Sequence, residues 1–83
     1  MNDEERQEKI ASLARSKQFA EQAYDDMYEA HSPSQARGLY SDAKEAFHDA
    51  IRLARELGLA DEAAALSSRL DHIKAVYRSQ FSC

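Results

Sequence analysis

Tryptophan and threonine are absent from this 83-residue chain, which has two glycines, one proline and one cysteine. Only Ile10, Ile51, Ile73 and Val76 are β-branched, whereas alanine occurs fifteen times. Strands favour β-branched and aromatic side chains, so this composition nearly excludes a sheet. So few glycines and prolines leave few places to turn, and the elements must be long. No stretch approaches the ~18 consecutive apolar residues that span a bilayer, so no membrane segment is expected. The single cysteine, Cys83, cannot form an internal disulfide, which a small secreted domain usually needs. The start carries Asp3, Glu4, Glu5 and Glu8 in place of the basic, then apolar, pattern of a secretory leader. A reducing cytoplasm is the simplest compartment. The net charge of −4 lacks the clustered Lys and Arg of a phosphate-binding surface, so nucleic acid is not an expected partner.

What is present is helical periodicity. Ile10, Leu13, Ala14, Ala20, Ala23, Tyr24, Met27 and Tyr28 recur at threes and fours, with Phe19 at the edge of the stripe. This predicts a first helix over about residues 4–30. His31-Ser32-Pro33-Ser34-Gln35 breaks it, because proline disfavours helical geometry in the residue before it. Ser32 and Gln35 make an S-x-x-Q capping box, and Pro33 suits the first helical position. A second helix is therefore expected over about 33–57. A rival reading loops through Gly38 and starts the helix after a Ser41 cap. The second stripe is Ala36, Tyr40, Ala43, Phe47, Ala50, Ala54 and Leu57, widened by Ile51 and Leu53. Gly58 takes the left-handed position that commonly follows a helix, and Leu59 can pack back on the last turn. Asp61 then caps a third helix over about 61–80, with Ala63, Leu66, Leu70, Ile73 and Tyr77 on its stripe. Three long helices with short connections must lie as antiparallel neighbours. The expected fold is all-α: one domain, a three-helix up-down-up bundle.

Charge is uneven. Residues 1–32 hold eight acids and four bases, whereas residues 33–83 hold seven of each. Glu21, Asp25 and Glu29 form an i, i+4 acidic row, with Asp26 alongside. Such a row repels itself and sits at the unfavourable, negative end of the helix dipole. In an up-down-up bundle the third helix runs parallel to the first, which brings Arg69, Lys74 and Arg78 level with the row. The row is either a partly compensated, solvated face or a docking site for a basic peptide. Tyr24 and Tyr28 either edge the core or join Glu21 and Asp25 in a mixed aromatic–acidic surface. Phe19 and Phe81 are the candidates for exposed apolar contacts with a partner or with a second copy.

Residues 38–53, G-L-Y-S-D-A-K-E-A-F-H-D-A-I-R-L, resemble the second half of a tetratricopeptide repeat. Gly38, Tyr40, Ala43, Phe47, Ala50, Ile51 and Leu53 fall on its pattern. The continuation to Ile73–Tyr77 resembles the opening helix of a following repeat, so the likeness covers residues 38–77. It extends loosely to the three-helix microtubule-interacting-and-trafficking modules. The first helix lacks the repeat's Trp-Leu-Gly-Tyr positions, and solenoids need about three repeats to bury a continuous core. The resemblance implies a tight helical hairpin and the binding of peptides or helices in grooves.

Chemistry is sparse. Glu45 and His48 have the E-x-x-H spacing of di-iron bundles, but a second such pair is missing. Asp71 and His72 are adjacent, not spaced. Ser67 and Ser68 have no evident base, and Ser32 is spent on capping. There is no phosphate loop and no zinc spacing. A bundle this small is expected to leave no pocket of useful volume. No catalytic residue, metal or cofactor is assigned. The chain is expected to be a non-catalytic interaction module. The alternatives are a homodimeric structural protein and a small-ligand or metal bundle using Glu45 and His48.

Overall fold

The computed structural model describes residues 2–81, with Phe81 defined by its backbone alone. Three helices follow in order: α1 (Asp3–Tyr28), α2 (Pro33–Glu56) and α3 (Ala60–Phe81). No strand is present among the described residues, so the protein is an all-α bundle.

The turns show why the helices start and stop where they do. Asn2 caps α1, its side-chain oxygen accepting from the Glu5 N–H at 2.8 Å, and Asp3, Glu4 and Glu5 fill the first turn. The last turn of α1 tightens, the N–H groups of Glu29 and Ala30 bonding back three residues to Asp26 and Met27. The helix thus closes at Tyr28, two residues before the expected end. Ser32 accepts from the Gln35 N–H at 3.1 Å. The Gln35 side chain accepts in turn from His31 N–H at 2.8 Å, one residue outside the position that a capping box uses. α2 therefore begins at Pro33, and Gly38 lies inside it.

Gly58 has φ +75° and terminates α2 with a complete Schellman pair. Leu59 N–H bonds to Ala54 O at 2.8 Å, and Gly58 N–H to Arg55 O at 3.0 Å. Leu59 is also the boundary of α3: its carbonyl accepts the first helical bond, from Ala63 N–H. Asp61 consequently does not cap α3, as its sequence position suggested. It lies one residue inside, in the first turn, where its charge still suits the dipole.

Ion pairs fix the register. Lys9 on α1 reaches Glu56 at the far end of α2, at 3.2 Å, so these helices are antiparallel. Lys17 pairs with Glu62, and Glu21 with Arg69, so α1 and α3 run the same way. α2 is the shared partner. Its buried residues, Ala36, Ala43, Ala46, Phe47, Ala50, Ile51, Leu53 and Ala54, form an arc broad enough to serve two neighbours. The backbones of α1 and α2, and of α2 and α3, approach closely, whereas α1 and α3 meet chiefly through long side chains.

The core is aliphatic and alanine-rich around Phe47, Met27 and Ile73, and no buried polar residue occurs among the described residues. Tyr40 and Tyr77, expected in the core, are only partly buried and lie at its margin. Their rings stack across α2 and α3 with centroids 3.8 Å apart, and the Lys44 ammonium sits 4.6 Å from the Tyr40 centroid. Three residues of the α1 stripe are exposed: Tyr28 in the last turn, and Ile10 and Ala14 toward the start. The Glu62–Lys17 pair puts the first turn of α3 level with Lys17, two helical turns beyond Ile10. That end of α1 has a single neighbouring helix to bury against.

Candidate functional site

The residues singled out in the sequence fall into two groups. Glu21, Tyr24, Asp25, Tyr28 and Glu29 follow one another up a single flank of α1. Phe19 stands about 200° around the helix from Glu21, at 100° per residue, and belongs to another surface. It is 55% exposed and borders an open depression of about 300 Å³ with Arg15, Gln18 and Gln22. The side chain of Phe81 lies outside the described residues.

On the shared flank, Glu21 and Tyr24 face α3, where Arg69 meets both. The guanidinium donates from Nε and one Nη to the two carboxylate oxygens of Glu21, each at 2.9 Å. This fork-to-fork pairing is the strongest geometry an arginine offers a carboxylate. The same guanidinium carbon lies 5.1 Å from the Tyr24 ring centroid, within cation–π range. Its hydrogen bonds with Arg69 hold the Glu21 carboxyl below its usual pKa and the guanidinium above its own. Burial opposes both shifts, and Asp25 adds to the field that favours the charged guanidinium.

Tyr24 is 8% exposed and Tyr28 46%, so the pair divides between core and surface. Their hydroxyls share a hydrogen bond of 2.9 Å, and their rings meet edge-to-face with centroids 5.3 Å apart. Burial, then the Tyr28 hydrogen bond, push the Tyr24 phenol up to about 12. Beyond them Asp25 and Glu29 are exposed, while Asp26 accepts from the Gln22 amide at 3.0 Å. The last turn of α1 contains no basic residue. Of the three bases expected beside this row, Arg69 alone forms an ion pair among the described residues; Arg78 instead acts electrostatically on Tyr40.

Glu45 and His48 are both exposed on α2. Among the described residues no three His, Cys, Asp or Glu side chains converge to hold a metal ion. The hollows found on the described surface are open depressions, not enclosed pockets. Those of about 300 Å³ beside Ala30, His31 and Pro33, and about 490 Å³ beside Gly58 and Asp61, lie at the two turns. Turns splay side chains apart, which a stripe analysis of helices does not register. Among the described residues no helix is long and apolar enough to cross a membrane.

No protein family, curated protein or solved structure matches this chain.

Proposed function

We propose that the protein is a non-catalytic, cytoplasmic interaction module that presents the upper flank of α1 to another protein. The observation that carries this reading is the charge placed at the end of α1. Asp25 and Glu29 are exposed, one turn apart, at the negative end of the helix dipole, and no base occupies that last turn. Each such placement disfavours the isolated helix by a few tenths of a kcal/mol. A basic partner would reverse the sign of that contribution. The half-exposed Tyr28 beside them supplies the amphipathic ring common at interfaces. Of the residues on the tetratricopeptide-like pattern, Ala43, Phe47, Ala50, Ile51 and Leu53 are buried, Tyr40 is partly buried and Gly38 is exposed.

The test is a photo-reactive residue introduced in cells at Glu29, with the same residue at the exposed Glu45 on α2 as the control. A discrete adduct from position 29 and none from position 45 supports the reading. Equal adducts, or none from either position, would sink it.

A second reading has its own observation. Phe19 is the most exposed large apolar side chain among the described residues, and it lies away from the acidic flank. A homodimer could bury it. Mass action then requires the melting temperature to rise with protein concentration, and Phe19→Ser should abolish that rise. A concentration-independent melting temperature removes the dimer.

A further inference from the structure

Helix α2 segregates its charges. At 100° per residue, Arg37, Lys44, His48, Arg52 and Arg55 fall within one arc of about 80°. The acids of the helix, Asp42, Glu45, Asp49 and Glu56, occupy the adjoining arc of about 60°. The basic lane runs about 27 Å along α2, from Arg37 to Arg55. Equal numbers of acids and bases in residues 33–83 hide this separation from a count of net charge.

The fold sets the two lanes against different neighbours. Glu56 pairs with Lys9, so the acidic lane borders α1. Tyr40, about 60° round from Arg37, stacks on Tyr77, so the basic lane borders α3. Arg69 marks the side of α3 that meets α1. Lys74 and Arg78 lie about 140° and 180° round from it, on the side that continues the basic lane. Arg78 acts electrostatically on Tyr40, and the Lys44 ammonium is held 4.6 Å from the Tyr40 ring centroid. The outer seam of α2 and α3 thus gathers bases from both helices around an aromatic pair.

The fold does not neutralise them. Asp71 is the one acid on that side of α3, and it forms no ion pair among the described residues. Arg52 has a 3.8 Å contact with Asp49 of its own helix, both side chains being more than half exposed. Arg37, Lys44, Arg55, Lys74 and Arg78 take part in no ion pair among the described residues.

We propose that the outer α2–α3 seam is a docking surface for an acidic polypeptide segment whose carboxylates lie along the basic lane. Width selects this occupant. The acidic lane begins about 20° beyond Arg52, so a nucleic-acid duplex or a lipid surface broad enough to cover both lanes meets Asp42, Glu45 and Asp49 and is repelled. A single polypeptide chain fits one lane. The lane lies apart from the α1 flank and carries the opposite charge, so the two surfaces stand or fall separately.

The experiment is an NMR titration of the full chain at low salt. The probe is a blocked, alanine-based helical peptide carrying glutamates at the spacing of Arg37, Lys44, His48 and Arg55. Its control carries glutamine at those positions. Shift changes should centre on Tyr40, Lys44, His48, Arg55, Lys74 and Tyr77. The glutamine peptide should bind at least tenfold more weakly, and the glutamate peptide should lose affinity as salt rises. Arg37 and Arg55 are exposed, so Arg37→Gln combined with Arg55→Gln should weaken the glutamate peptide about tenfold without lowering the melting temperature. Arg15→Gln, on α1, should leave binding unchanged.

Equal binding of the two peptides would overturn the proposal. So would shift changes of the same size around Arg6 and Arg15, because that pattern reports charge without a docking face. Duplex DNA or phosphatidylserine vesicles that displace the glutamate peptide would overturn it too, since the acidic lane would then not restrict the occupant. Dimerisation at low salt that the paired arginine variant abolishes would assign the lane to a second copy instead.

Discussion

Helix α1 meets its two neighbours by different chemistry. Toward α2 it presents small and apolar side chains, with Ala20 and Met27 fully buried and Ala23 and Leu13 nearly so, and the backbones draw close. Toward α3 it presents Lys17, Glu21 and Tyr24, which reach across a wider gap to Glu62 and Arg69. The first seam is dry and depends on shape. The second is partly wet, with the Glu21 and Arg69 side chains 44% and 39% exposed, and depends on charge. Close packing is costly to disturb, whereas exposed ion pairs contribute about 0–1 kcal/mol each. The contrast assigns the two sides of α1 different tasks in the fold: α2 fixes where α1 lies, which leaves the α3-facing flank free to carry polar and charged side chains.

The sharpest way to break this comparison is at the centre of the dry core. Phe47 is 1% exposed, and Phe47→Ala should destabilise by about 3–5 kcal/mol in urea or thermal unfolding. On a domain of 83 residues that loss consumes most of the folding free energy. A change below about 1 kcal/mol would mean that α2 is not the shared partner.

Close approach can be tested from the opposite direction. Ala20 is fully buried and Ala14 exposed, although both read as stripe positions in the sequence. Ala20→Leu should cost about 1–3 kcal/mol through overpacking, whereas Ala14→Leu should stay within about 0.5 kcal/mol of the parent protein. Equal effects would erase the distinction between the α2-facing side of α1 and the rest of it.

The two glycines separate backbone effects from seam effects. Gly58 holds φ +75°, and a methyl group there would meet open space, so the cost of Gly58→Ala comes from backbone strain alone, about 1–2 kcal/mol. Gly38 lies within α2, also with open space, and Gly38→Ala should stabilise by up to about 1 kcal/mol. Because α2 is common to both seams, the alanine at 38 should raise resistance to urea without changing its salt dependence.

These expectations also show where the sequence was legible. Ser32-Pro33 and Gly58 mark the turns by themselves, because capping and positive φ are local properties. The Glu21–Arg69 pair was legible only in outline, from charge balance and helix direction. Its fork geometry and the ring beneath it depend on a side-chain register that stripe counting does not supply. Ala46 is buried yet falls outside the α2 stripe. A helix sandwiched between two others buries a wider arc than a single stripe describes, and alanine is too common here to signal that. The division of Tyr24 from Tyr28 was equally hidden: which of two tyrosines one turn apart goes inside depends on where α3 crosses.

The smallest effects belong to the polar seam, and their sign is distinctive. Arg69→Met keeps the stem's bulk and removes the charge, so it should cost about 0.5–1 kcal/mol at low salt and less at 1 M salt. Glu21 has its carboxyl below the ordinary value of 4.5 because Arg69 hydrogen-bonds its charged form. Its contribution is therefore complete above about pH 4.5 and is lost as pH falls through the lowered value. Tyr24 works at the other end. Its phenol is raised from 10 to about 12, so the neutral form stabilises the fold below pH 10 and that stabilisation disappears as pH rises through 12. Ultraviolet titration should find one tyrosine ionising well above pH 10, and the delay should persist in Arg69→Met because burial is the largest cause of the shift. If the delay vanished with Arg69, Tyr24 would depend on the clasp for its burial, and the wet seam would be holding the dry one shut.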